Sequence, residues 1–137
     1  MGKLDGRCLC GAVSYRADAD PVFTAICHCK NCQRQTGTAF SLVVGVREED
    51  FELDGEPAVF TTAGEDHGGE TRRHFCSACG SPLLSTSDAL PGIVIVKAGT
   101  LDDVSWLQPQ LEVWGEQAQP WIQPADGRPR LPRDASG

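Results

Sequence analysis

The segment Cys27-His28-Cys29-Lys30-Asn31-Cys32 places three thiols within six residues, close enough to converge on one metal ion. Thiolates are soft donors suited to zinc. A structural zinc site takes four protein donors, whereas a catalytic one takes three and leaves a position for water or substrate. Four more cysteines stand apart, as Cys8-Leu9-Cys10 near the start and Cys76-Ser77-Ala78-Cys79 far downstream. Seven is an odd number, so full disulfide pairing would leave one thiol over. With no secretory signal at the start, the thiols are expected to stay reduced, which points to metal or catalysis.

Two groupings of the outer cysteines compete. One joins Cys8 and Cys10 to Cys76 and Cys79, leaving the central three alone. The other joins Cys29 and Cys32 to Cys76 and Cys79 and strands Cys8, Cys10 and Cys27. Gly11 follows Cys10 and Gly80 follows Cys79, and a tight metal knuckle needs a left-handed residue there, which glycine adopts at little steric cost. That favours the first grouping, with a closed quartet of structural character and an open trio. The histidines offer little as a fourth donor to the trio. On an extended backbone His28 points away from Cys27 and Cys29. His67, in a glycine-rich stretch, reads as a solvated turn residue, and His74, just before Phe75-Cys76, as a core or supporting residue.

Three thiolates on Zn²⁺ leave a net negative charge, which weakens the metal toward water. Such a site suits a fourth thiolate brought by a substrate, its pKa lowered by the metal so that a nucleophile exists at neutral pH. The expected reaction is addition of a thiol to a small electrophile, or the reverse.

The elements that must hold these sulfurs read mostly as strands. Ala12–Arg16, Val22–Ile26, Phe40–Val46, Phe51–Leu53, Val59–Thr61, Arg72–Phe75, Pro82–Thr86 and Ile93–Ala98 are alternating or β-branched runs. Asp54-Gly55, Gly64 to Gly69 and Leu90-Pro91-Gly92 separate them as turns. A short helix is expected from Asn31 to Gln35, stopping at Gly37, and a helical turn within Asp102–Leu107. The spacing predicts an all-β fold.

At 137 residues, 40% of them apolar, the chain is one domain able to bury a core. No apolar run approaches the roughly 18 residues of a membrane span. Met1 to Gly6 lacks the apolar part of a secretory signal and the Ser or Thr of a myristoylation motif, so a cytoplasmic location is expected. A net charge of −7 argues against a nucleic-acid partner. Arg128, Arg130 and Arg133, among prolines, read as a solvated tail. The domain is expected to span 1–131, with 132–137 a flexible C-terminal tail.

Three motifs together resemble one known family. They are Cys8-Leu9-Cys10-Gly11-Ala12-Val13-Ser14-Tyr15, Cys27-His28-Cys29-Lys30-Asn31-Cys32-Gln33-Arg34-Gln35-Thr36-Gly37-Thr38-Ala39-Phe40, and Phe75-Cys76-Ser77-Ala78-Cys79-Gly80. Gly99 to Asp103 and Pro120-Trp121-Ile122 also look like later family segments. The pattern resembles the glutathione-dependent formaldehyde-activating (Gfa) and centromere-protein-V-like family.

The resemblance implies a β-tent fold with two zinc ions per chain. It assigns a structural zinc to Cys8, Cys10, Cys76 and Cys79 and a catalytic zinc to Cys27, Cys29 and Cys32. It also implies a carbon-sulfur lyase that adds glutathione to formaldehyde, giving S-hydroxymethylglutathione, a detoxification reaction. Many relatives carry a histidine where this chain has Glu112, so the glutathione pocket is expected to differ. Lys30, Arg34, Arg72 and Arg73 are candidates for a substrate carboxylate, against the simpler reading of solvated cations. Gln35 and Thr36 are candidate donors to zinc-bound sulfur, or simply helix-end residues. The alternative functions are a non-catalytic zinc module that binds a thiol or protein partner, and a redox role for the Cys-x-x-Cys pairs.

Overall fold

The computed structural model describes residues 3–63, 69–124 and 127–134, and among them the chain is mainly β. In chain order the elements are β1 (Leu4–Arg7), β2 (Ser14–Ala17), β3 (Phe23–Cys27), helix α1 (Lys30–Thr36), β4 (Ser41–Arg47), β5 (Phe51–Asp54), β6 (Ala58–Ala63), β7 (Glu70–Phe75), β8 (Pro82–Ser87), β9 (Ile93–Lys97) and β10 (Leu111–Val113). A three-stranded sheet has the order β1-β2-β5, and a seven-stranded sheet the order β10-β3-β4-β9-β8-β7-β6. The short strand β10 runs parallel to β3, whereas β3 and β4 pair antiparallel.

Strand alternation divides the large sheet into two faces. Thr24, Val44, Val96 and Leu84 lie in register across β3, β4, β9 and β8, and all are buried. On this side Val44, Val46, Val94 and Val96 join Leu4, Tyr15 and Ala17 of the small sheet, and Val13 just ahead of β2, in one core. Burial of a side chain of this size stabilises by about 1.5–3 kcal/mol, and here it also fixes how the sheets meet.

The other face carries Cys27, Ser41, Val43, Lys97, Ile95, Ser85 and Arg73 at alternate positions of the same strands. Gly45 is needed on this side because the Phe23 ring occupies the space that a Cβ would take. This is the face on which the central cysteine segment begins.

The expected strands are present with shifted ends. The two short strands β1 and β10 were not foreseen, because Leu4-Asp5-Gly6-Arg7 and Leu111-Glu112-Val113 are too short and too polar to signal themselves. Helix α1 stops at Gly37, which has φ 71° and donates its N–H to the Gln33 carbonyl at 2.9 Å. Asp102–Leu107 forms only turns, with the Trp106 Nε1 bonded to the Asp103 carbonyl at 2.9 Å.

The basic C-terminal segment corrects an expectation. Arg128 and Arg130 are not solvated, for each Nε lies 2.8 Å from the Glu112 carboxylate. Leu131 N–H donates to the Glu112 carbonyl at 2.8 Å, Trp114 N–H donates to the Arg133 carbonyl at 2.9 Å, and the Arg133 guanidinium lies over the Trp114 ring. A buried carboxylate on β10 requires cations, and this segment supplies them. His67 and residues 135–137 of the expected tail lie outside the described residues, as does the turn Gly64–Gly69 apart from Gly69.

Candidate metal centres

The two cysteine-bearing hairpins meet where the sheets meet. The β1–β2 turn delivers Cys8 and Cys10, and the β7–β8 turn delivers Cys76 and Cys79. The turns are built alike: Gly11 has φ 82° and Gly80 φ 81°, and each donates its N–H back to the first cysteine's carbonyl, at 3.1 and 2.8 Å. The left-handed glycines expected of metal knuckles are therefore present. Cys10 Sγ lies 3.7 Å from both Cys8 Sγ and Cys76 Sγ, and all four sulfurs lie within 4.8 Å of one another.

Polar hydrogens around this quartet favour thiolate. Val13 N–H reaches Cys8 Sγ at 3.3 Å. Leu9 N–H donates to Ser81 Oγ at 3.0 Å, which leaves the hydroxyl hydrogen for Cys79 Sγ at 3.2 Å. The Ser81 hydroxyl and N–H pull the Cys79 thiol down to about 5. Burial opposes ionisation of Cys8, and the Val13 N–H and neighbouring sulfurs outweigh it.

The central segment makes the second cluster. Cys27 ends β3, opposite Ser41 of β4 and Val113 of β10. The chain then turns into α1 with Cys29 as N-cap, its Sγ accepting from Cys32 N–H at 3.2 Å. This local bond, together with one helical turn, gathers Cys27, Cys29 and Cys32 with their sulfurs within 4.8 Å of one another. The neighbouring sulfurs Cys27 and Cys29, helped by Lys97 and Arg73, hold Cys32 well below the usual thiol range, while Cys29 and Cys32 push Cys27 up. Both clusters have the donor atoms of a zinc site, four soft sulfurs in one and three in the other.

Among the described residues no fourth His, Cys, Asp or Glu joins the trio. His28 is fully buried, with Nε2 held 2.6 Å from Glu112 Oε1. His74 is half-buried on β7, where burial and then Arg72 lower its pKa. Burial opposes ionisation of Glu112, and His28, Arg128 and Arg130 outweigh it, bringing its pKa down to about 2.

Supports for the trio come from far along the chain. Gln33 Nε2 donates to the His28 carbonyl at 2.7 Å and to the Gln117 carbonyl at 3.1 Å, and Lys30 N–H donates to Gln117 Oε1 at 2.6 Å. Thr36 donates to the Cys32 carbonyl at 2.8 Å, a helix-end bond and not one to sulfur, whereas Gln35 Oε1 is buried without a partner. Of the four candidate cations, Lys30 and Arg34 are exposed and Arg72 pairs with Asp88 at 2.9 Å. Arg73 is buried, and so is Lys97, a residue the sequence reading passed over. Its only signal was a charge ending the apolar run Ile93–Val96.

A mainly-β protein whose two sheets converge on one sulfur quartet, with a sulfur trio spanning the end of β3 and the start of α1, is by this geometry a candidate two-metal thiolate protein. The family model described as "Glutathione-dependent formaldehyde-activating enzyme" matches residues 3–117, and the chain belongs to that family. A Halomonas elongata protein named "Putative glutathione-dependent formaldehyde-activating enzyme" is 31% identical over 110 residues. The match covers 72% of this chain and 66% of that protein, just under two-thirds of its length. The crystal structure of a Rhodobacter sphaeroides protein shares the fold, with a TM-score of 0.57 at 18% identity over 93% of this chain and 98% of that one.

Proposed function

We propose that the protein is a zinc-dependent carbon-sulfur lyase. It would join a thiol, glutathione by family membership, to a small aldehyde such as formaldehyde, or run the reverse reaction. The observation that carries this reading is the trio itself: three sulfurs converge, and no fourth His, Cys, Asp or Glu accompanies them among the described residues. Cys27, Cys29 and Cys32 would hold the catalytic zinc, and Cys8, Cys10, Cys76 and Cys79 a structural one. When bound at the trio, zinc supplies a fourth position that favours the thiolate form of an incoming thiol.

The chain's own residues hold this geometry. The Cys29 cap and the Gln33 bonds fix the spacing of the ligands, and the Glu112–His28 pair anchors the peptide between Cys27 and Cys29. In the addition, the thiolate sulfur attacks the carbonyl carbon and a C–S bond forms. The carbonyl π pair moves to oxygen, which takes up a proton equivalent to the one the thiol lost. The product is an S-hydroxymethyl thioether alcohol.

Zinc per chain, measured for the parent and for Cys29→Ser, tests the site, with two expected to fall to one while the fold is kept. Exchange NMR of glutathione and formaldehyde mixtures tests the reaction, with faster interconversion expected in the presence of protein. An unchanged rate with zinc confirmed at the trio would remove formaldehyde as substrate. A Cys29→Ser variant keeping every activity of the parent would favour a non-catalytic zinc module.

A further inference from the structure

Lys97 and Arg73 are buried cations, each 7% exposed, on the same sheet face as Cys27. The register places them there: Ser41 sits opposite Cys27, and Val43, two residues on, sits opposite Lys97. Ile95, two residues before Lys97, lies opposite Ser85, and Ser85 lies opposite Arg73. Both side chains bond to hydroxyls: Lys97 Nζ donates to Ser41 Oγ at 2.8 Å and Arg73 Nη1 to Thr62 Oγ1 at 2.5 Å. Among the described residues neither has a carboxylate in ion-pair range, unlike Arg72 with Asp88 or Arg128 and Arg130 with Glu112.

A buried cation with only neutral partners is costly, so an anion must face it. The trio, deprotonated to hold a metal, supplies that charge: Lys97 Nζ donates to Ser41, which is paired with Cys27 where the trio begins, and Arg73 lies on the same face beyond Ile95 and Ser85. The charges also count. Three thiolates and two cations sum to minus one, and a divalent ion at the trio turns this to plus one. A neutral fourth donor leaves that positive charge buried, whereas a thiolate cancels it.

We infer that Lys97 and Arg73 are specificity-determining residues that set the trio to accept an anionic guest, a thiolate, in preference to a neutral donor. The inference rests on the proposed open metal site and adds what that site selects. It gives roles to two residues outside the three cysteine motifs.

The test uses the full chain loaded with cobalt(II) in place of zinc, with guest binding followed through the sulfur-to-cobalt charge-transfer and d–d bands. The probes are 2-mercaptoethanol, an anionic donor once bound, and imidazole, a neutral one. In Lys97→Met the thiol Kd is expected to rise about tenfold, the scale of one unit-charge interaction in a half-buried site, while the imidazole Kd changes less than about twofold. Lys97→Arg is expected to restore most of the thiol affinity. Should Lys97→Met fail to fold, Arg73→Gln carries the same expectation. Equal thiol affinity in the parent and the variants, or an equal loss for thiol and imidazole, overturns the inference and leaves the open site standing. A parent whose spectrum does not respond to thiol overturns both.

Discussion

Glu112 concentrates the electrostatics beside the trio on one side chain. Its carboxylate meets His28, Arg128 and Arg130 from three directions, at 2.6, 2.8 and 2.8 Å, and is 1% exposed. Removing one member of such a buried set leaves the others uncompensated, so Glu112→Gln is expected to lower stability by about 3 kcal/mol, measured by denaturant or thermal unfolding of the zinc-loaded protein. The sign with pH follows from its depressed pKa. The unfolded carboxyl, at about 4.5, takes a proton before the folded one at about 2, so the contribution is complete above that range and fades as pH falls through it. The gap between parent and variant is therefore expected to shrink as pH falls from about 4.5 toward about 2. The grouping of the cysteines into a quartet and a trio was legible from their spacing and from the glycines that follow Cys10 and Cys79. Glu112 and Lys97 were not, because a single charge in a short apolar run says nothing locally about a partner on another strand or in a segment 16 to 18 residues away.

At the level of elements, the glycines after the paired cysteines carry the clearest consequence. An alanine Cβ at position 80 would meet no atom within 4 Å, so Gly80→Ala tests backbone conformation without a clash. Holding an L-residue at φ 81° is expected to cost about 1–2 kcal/mol and to weaken metal retention at the quartet. Zinc release to a competing chelator, compared with the parent, measures it. Gly45→Ala is the opposite case, a collision with the Phe23 ring in an otherwise permitted strand, and is expected to cost about 1–3 kcal/mol in thermal unfolding. Strands such as β4 and β9 announced themselves because β-branched residues run through them. The strand β10 is held by the remote strand β3, and β1 by the next strand β2, but three or four residues carry too little pattern to foretell either pairing.

For the whole molecule, the quartet joins the sheets at the two hairpin turns, and the shared core fills the space between them. A metal held by the quartet would couple its binding to folding, so loss of one quartet thiol is expected to act globally. Cys79→Ser is expected to abolish cooperative unfolding, whereas Cys29→Ser is expected to keep it, as circular dichroism melts would show. The net charge of −7 coexists with basic side chains turned inward, since Arg128 and Arg130 serve Glu112 and not the solvent. The sequence read these arginines as a loose tail because their composition matches one, and only their partner's burial says otherwise.

The dependence of the central cysteine segment on Gln117, Glu112 and Arg130 also sets an order of events at the ribosome. The quartet has all its donors once Cys79 has emerged, but the segment that bears Cys27 gains its last braces about 50 residues later, when Arg130 is clear of the exit tunnel. In the interval those thiols would lack the contacts that fix their spacing in the folded chain. A chain halted after Gln110 is accordingly expected to retain a single zinc ion.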